Sequence, residues 1–218
     1  MKRILFLIIL TALAAAPCKL AAQVGVARRA IAVGVNGGVV LNSVGFDPTI
    51  KQSMHQGTTF GVTFRMTSEK YFKSLCALQI ELNYAGLGWK EQVLNAAGEP
   101  LPDSYQRNMN YVQLPFLARM GWGREKRGAM GYIVAGPQVG YCFGEATKRG
   151  ASWTIDETTG LPDRPNGLCA QYDLGVQRRF DYGITAGAGL EVNTRVGHFM
   201  IEGRYYYGLG DFFNNAKK

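Results

Sequence analysis

The sequence predicts an all-β protein: an antiparallel, up-and-down transmembrane β-barrel of about eight strands. Three observations carry that expectation. Apolar and polar residues alternate along most of the 218-residue chain in runs of about ten, the period of a strand with one greasy and one wet face. Long and short connections take turns between these runs, as external loops and periplasmic turns do in outer-membrane barrels. Beyond the N-terminus no stretch approaches the roughly 18 consecutive apolar residues of a spanning helix, and a mean hydropathy of −0.07 is too low for a helical membrane bundle.

Seven strands can be read in the sequence. The first, 30–42, sets Ile31, Val33, Val35, Val39 and Leu41 against Gly34, Asn36 and Gly38. In the second, 58–67, Phe60, Val62, Phe64 and Met66 alternate with Gly61, Thr63 and Arg65. The third, 75–87, opposes Cys76, Leu78, Ile80, Leu82 and Tyr84 to Ala77, Gln79, Glu81, Asn83 and Ala85. The fourth, 109–122, carries Val112, Leu114, Phe116, Ala118 and Met120 on one face and Gln113, Pro115 and Arg119 on the other. Pro115 has no N–H for a ladder, so it belongs at a bulge or a non-bonding position. The fifth, 130–144, turns Ile133, Ala135, Val139, Tyr141 and Phe143 toward lipid; the sixth, 180–193, alternates Tyr182, Ile184, Ala186, Ala188, Leu190 and Val192 with Asp181, Gly183, Thr185, Gly187, Gly189 and Glu191. The seventh, 198–209, opposes Phe199, Ile201, Tyr205 and Tyr207 to His198, Glu202, Arg204 and Tyr206.

The connections are roughly fifteen, seven, twenty, seven, thirty-five and four residues long. The short ones carry turn chemistry, as in Gly123-Arg124-Glu125-Lys126-Arg127-Gly128 and 193–197. Residues 43–57, 88–108 and 145–179 are therefore expected outside. Residues 1–22 have the layout of a signal peptide: Lys2 and Arg3, an apolar stretch from Ile4 to Ala16, and Leu20-Ala21-Ala22 before Gln23. Pro17 argues against lipidation at Cys18. Removing this segment lowers the formal charge from +8 to +5, a mild excess with no aromatic-interleaved basic run, so no nucleic-acid partner is expected. The mature chain, 23–218, is expected to be a single barrel domain whose lipid partner is the outer membrane. Cys76 and Cys142 read as small apolar residues rather than a disulfide, and Cys169 as a loop thiol.

The charges Glu81, Arg119, Glu191, Glu202 and Arg204 recur on the face opposite the apolar one. A soluble exported barrel that binds a small apolar ligand would have to mix them into its core. In a narrow membrane barrel they point into the lumen and pair across strands. Tyr84, Trp89, Tyr111, Trp122, Tyr132, Tyr141, Phe143, Tyr182 and Tyr207 suit interfacial girdles. Seven strands leave an edge whose unpaired backbone groups are costly in hydrocarbon. Since 211–218 reads as the start of a loop and lacks a terminal aromatic, the sequence points to a truncated chain, or to an extra strand from within 145–179.

The series Tyr111-Val112-Gln113-Leu114-Pro115-Phe116-Leu117, Ala135-Gly136-Pro137, Gly187-Ala188-Gly189-Leu190-Glu191 and Arg204-Tyr205-Tyr206-Tyr207-Gly208-Leu209-Gly210-Asp211 resembles the PorT-like outer-membrane β-barrel family of Gram-negative bacteria. The resemblance extends over nearly all of 28–213 and implies an eight-stranded outer-membrane barrel. One branch of that family is similar to a component of protein secretion and gliding, but fold alone does not fix function.

No catalytic, metal or cofactor site is expected. The two histidines are His55, read as a solvated loop residue, and His198, read as a lumenal hydrogen-bonding group on the face of Glu202. Asp156, Glu157, Asp163 and Asp173 do not follow Ca²⁺-loop spacing and have Lys148, Arg149, Arg164, Arg178 and Arg179 to pair with. A narrow porin-like channel would need a lumen emptier than Gln79, Glu81, Arg119, Glu191, Glu202 and Arg204 allow, although Gly34, Gly38, Gly61, Gly183, Gly187 and Gly189 leave room for a water path. The remaining class is a structural or interaction module, in a secretion or envelope complex, whose candidate binding loop carries Trp153, Leu161, Leu168 and Tyr172.

Overall fold

Seven long strands form one antiparallel sheet that curls around a lumen filled with side chains. The computed structural model describes residues 26–45, 52–71, 73–94, 100–125, 127–150 and 175–210. The expected signal peptide, the tail beyond 210, Cys169, Trp153, Leu161, Leu168 and Tyr172 lie outside the described residues, as do Asp156, Glu157, Asp163, Arg164 and Asp173.

In chain order the strands are β1 (Val26–Asn42), the two-residue β2 (Gln52–Ser53), β3 (His55–Tyr71), β4 (Ser74–Leu94), β5 (Pro100–Gly123), β6 (Gly128–Arg149), β7 (Phe180–Asn193) and β8 (His198–Gly208). Pairing follows β1-β3-β4-β5-β6-β7-β8, with β2 added against β4. No helix occurs among the described residues. Six antiparallel steps bring β8 back parallel to β1, and the two do not pair, so among the described residues the barrel is open along that seam.

Bonds across the lumen fix how tightly the sheet curls. Arg65 on β3 reaches Glu191 on β7 at 2.7 and 3.1 Å, and Arg204 on β8 reaches Glu81 on β4 at 2.6 and 2.7 Å. Each pair lies four strands apart in sheet order, diametrically opposite in a barrel of eight. A lumen that side chains alone can bridge has the width of an eight-stranded barrel, and one further antiparallel strand would satisfy both open edges.

The outward faces carry an apolar band of the height a bilayer requires. It spans Val112–Trp122 on β5 and Tyr182–Val192 on β7, eleven residues each, against the roughly 9–11 needed for a tilted spanning strand. Aromatics rim it: Phe60 stacks on Tyr84 at 4.8 Å, Tyr84 meets Phe143 at 6.1 Å, and Phe180 stacks on Tyr182 at 6.4 Å. Trp122 and Phe199 are exposed at the opposite end. Three residues expected in the girdle are not there. Trp89, Tyr111 and Tyr132 point inward and are 0–2% exposed. Tyr111 and Tyr132 share parity with the lumenal Pro115 and Val134, and strand parity outweighs proximity to a strand end.

Of residues 88–108, expected as an external loop, 88–94 and 100–108 instead prolong β4 and β5, which stay in register through Gln92↔Ser104 and pair again at Leu94↔Pro100. With β6 paired as far as Tyr105↔Arg149, they make a ribbon of β4, β5 and β6, edged by β2 at Lys90 and Glu91, that projects beyond the membrane. The 24 residues of β5 correspond to about 80 Å of strand at ~3.4 Å per residue. Apolar alternation stops at the lipid edge because the ribbon's outer face, including Lys90 and Lys148, meets water. Its inner face continues the period with Trp89, Tyr105 and Met109, which cluster with Tyr111 and Cys142. Pro115 occupies a gap in the ladder to β4, which skips from Asn83↔Gln113 to Ile80↔Phe116 without changing register. The tight turn between β7 and β8 is closed by Thr194, whose backbone N–H and hydroxyl donate to the Gly197 carbonyl at 3.0 and 2.8 Å.

Candidate functional site: the filled lumen

Lumenal residues are those on the polar parity of each strand, and all seven long strands contribute to one hydrogen-bonded network. At its centre Glu191 accepts two bonds from Arg65 and another from Arg119, and His198 lies 2.8 Å away. Arg119 lies with its guanidinium 3.4 Å from the Tyr132 ring centroid, a close cation–π contact. It also donates to Gln79 at 3.2 Å, and Gln79 donates to Glu81 at 2.6 Å. Glu81 takes the bidentate pair from Arg204, which also contacts Glu202, and Tyr132 donates its hydroxyl to Glu202 at 2.8 Å. Asn83 donates to Glu81 at 2.8 Å, while Asn36 on β1 donates to Asn83 and to Thr63, both at 2.9 Å.

The structure thus brings together Glu81, Arg119, Glu191, Glu202 and Arg204. It adds Arg65 and Tyr132, which sequence reasoning left outside the network. The signal was present: Arg65 shares parity with the lumenal Thr63, and Tyr132 faces opposite the lipid-side Ile133. Three guanidiniums and three carboxylates balance, and each carboxylate has partners that offset its desolvation. His198 bonds Asn193 and Glu191 rather than Glu202. His55 is not a solvated loop residue. It opens β3, is 5% exposed, and hydrogen-bonds Asn108 at 2.7 Å and Asn42 at 3.3 Å.

Of the six glycines expected to leave a water path, Gly34 has nothing within 4 Å of a built Cβ, whereas Gly183, Gly187 and Gly189 make room for neighbours. A Cβ on Gly183 would lie 2.7 Å from the Tyr206 ring, on Gly187 2.9 Å from Arg204 Cγ, and on Gly189 2.6 Å from Tyr132. Gly189→Val is therefore expected to cost about 1–3 kcal/mol by overpacking, since the Ile201 carbonyl, also 2.6 Å away, blocks relief. A lower urea midpoint at unchanged slope, on the protein folded in micelles, checks this.

Above the charged layer lies an apolar one of Trp89, Tyr105, Met109, Tyr111 and Cys142, with Val44, Leu87 and Val176 packed against it. A bulge between β5 and β6, where Tyr111↔Cys142 gives way to Asn110↔Gly144, moves Glu145 to the inner face. There it pairs with Arg107, whose guanidinium lies 5.6 Å from the Trp89 ring centroid. Cys76 and Cys142 are both free thiols. No group of His, Cys, Asp and Glu among the described residues could hold a metal ion.

A family model described as outer membrane protein β-barrel domain matches residues 21–214. No curated protein and no solved structure matches the chain.

Proposed function

Because the chain belongs to the outer membrane protein β-barrel domain family, its place is the outer membrane, and we propose that it acts there as a non-catalytic barrel with a plugged lumen, presenting an interaction surface. One observation carries this reading: the lumen is filled at two levels, by the network around Glu191 and Glu81 and by the aromatic layer above it. A barrel so filled has little room for solute, and its working surface is what projects. The ribbon of β4, β5 and β6 is that surface, rigid where most barrels carry irregular loops.

The finer assignment we propose is the PorT-like branch, with a role in a secretion or envelope complex. Its support is that the four motif segments fall on β5, β6, β7 and β8 and supply Glu191, Arg204 and Tyr111 to the lumen. The non-catalytic reading is supported by both histidines being engaged in hydrogen bonds to asparagine side chains, His55 with Asn108 and His198 with Asn193.

The rival reading is a narrow channel. Protein refolded into planar bilayers is expected to give no steady ion conductance, and discrete, persistent openings would overturn the plugged-lumen reading. Photo-crosslinkers at Lys90 and Lys148, both exposed on the ribbon, are expected to trap a defined envelope protein in intact cells, while the same group at Lys73, at the other end, is not.

A further inference from the structure

We propose that the short-turn end of this barrel binds the phosphate groups of anionic phospholipids in the leaflet it faces. This inference rests on the membrane reading. Basic side chains crowd this end: Lys73 in the turn before β4, Arg124 and Arg127 flanking the turn between β5 and β6, and Arg195 between β7 and β8, all exposed. Glu125, the acidic residue in the middle of these turns, is already paired with Lys70. Lys70, Gly123, Arg124, Glu125 and Arg127 line one shallow, open depression, and Asn193 holds its floor by donating to the Arg124 and Glu125 carbonyls, both at 3.1 Å.

Depth selects the partner. Trp122, exposed on the lipid face, pairs with Ser74, the residue after Lys73. Arg124 follows two residues later, about 7 Å along the strand direction at ~3.4 Å per residue. Basic groups one step beyond an interfacial tryptophan lie at headgroup level, where anionic phosphates concentrate. Val196, 93% exposed in the same rim as Arg195, gives an apolar contact beside the charge. In outer-membrane barrels the short turns face the periplasm, so the leaflet concerned is the phospholipid one.

The test uses full-length protein carrying Trp153→Phe, folded into vesicles of zwitterionic lipid with 30% brominated phosphatidylglycerol or, in a parallel arm, 30% brominated phosphatidylcholine (roughly equal bromine density in both). Trp122 is then the lipid-facing reporter, because Trp89 is buried on the inner face. Quenching is expected to be about twofold stronger from the anionic lipid, to weaken with salt as screening sets in, and to become equal in the two arms when Lys73, Arg124, Arg127 and Arg195 are changed to Gln. Equal quenching in the unchanged rim, or an unchanged preference in the Gln variant, overturns the proposal. So does a preference abolished by inorganic phosphate at constant ionic strength, which would assign the rim to free phosphate. Loss of quenching by both lipids, with no heat-dependent gel shift, would instead show that the membrane reading itself fails.

Discussion

Glu191→Ala is expected to be the most destabilising single change in the lumen, at about 3–5 kcal/mol. Glu191 is 1% exposed and is the shared acceptor for Arg65, Arg119 and His198. Removing it leaves two guanidiniums facing each other, while the other two carboxylates of the network, Glu81 and Glu202, are already engaged by Arg204. Urea titration in micelles would read the loss as a lower midpoint, and the heat-dependent gel shift would disappear at lower temperature. Glu202→Gln should cost much less, because Arg204 keeps its bidentate bonds to Glu81. Replacing the set together, Arg65→Met, Arg119→Leu and Glu191→Met, is expected to recover most of the stability, since an apolar cluster of similar volume is often neutral or better than a buried ion pair. If the single and the combined replacement are equally damaging, the cost is one of packing shape and not of unpaired charge.

The strands and the inward direction of the charges were legible in the sequence wherever one face met lipid. There the contrast between faces is largest, as in Leu78, Ile80 and Leu82 against Gln79, Glu81 and Asn83. Legibility failed where the contrast changed sign or vanished. In the described parts of 88–108 the outer face, with Lys90 and Gln106, is polar because water covers it, so the segment reads as a loop although β4 and β5 continue. Tyr132 misleads because an aromatic near a strand end fits a girdle and a lumen equally well by composition; parity separates them. Arg65 needed its partner to be recognised, and Glu191 lies on a strand four places away in the sheet, a distance set by curvature and not by sequence spacing. The β6 bulge that turns Glu145 inward leaves no local mark of its own.

Phe116→Arg is expected to cost about 2–4 kcal/mol, the penalty for a cation on the lipid face at mid-depth of a membrane barrel. Phe116 sits in a transverse row with Ile80 and Phe64, paired as Phe64↔Ile80 and Ile80↔Phe116, halfway along the Val112–Trp122 band. Phe116 and Phe64 are 38% and 40% exposed, so their packing within the chain is incomplete and hydrocarbon must finish it. In a water-facing barrel the same change at a half-exposed position would fall within about 0.5 kcal/mol. Depth supplies the control. Ala146→Arg, exposed on β6 beyond Phe143, is expected to cost 0–1 kcal/mol, as near an interface (roughly the lower limit of the depth scale). A steep difference between the two variants in lipid vesicles places the aromatic rim of Phe60, Tyr84 and Phe143 at the membrane edge and the ribbon above it in water. Equal tolerance would mean that the outward apolar face is covered by protein, so that the projecting strands would belong to an assembly's interior instead of its surface.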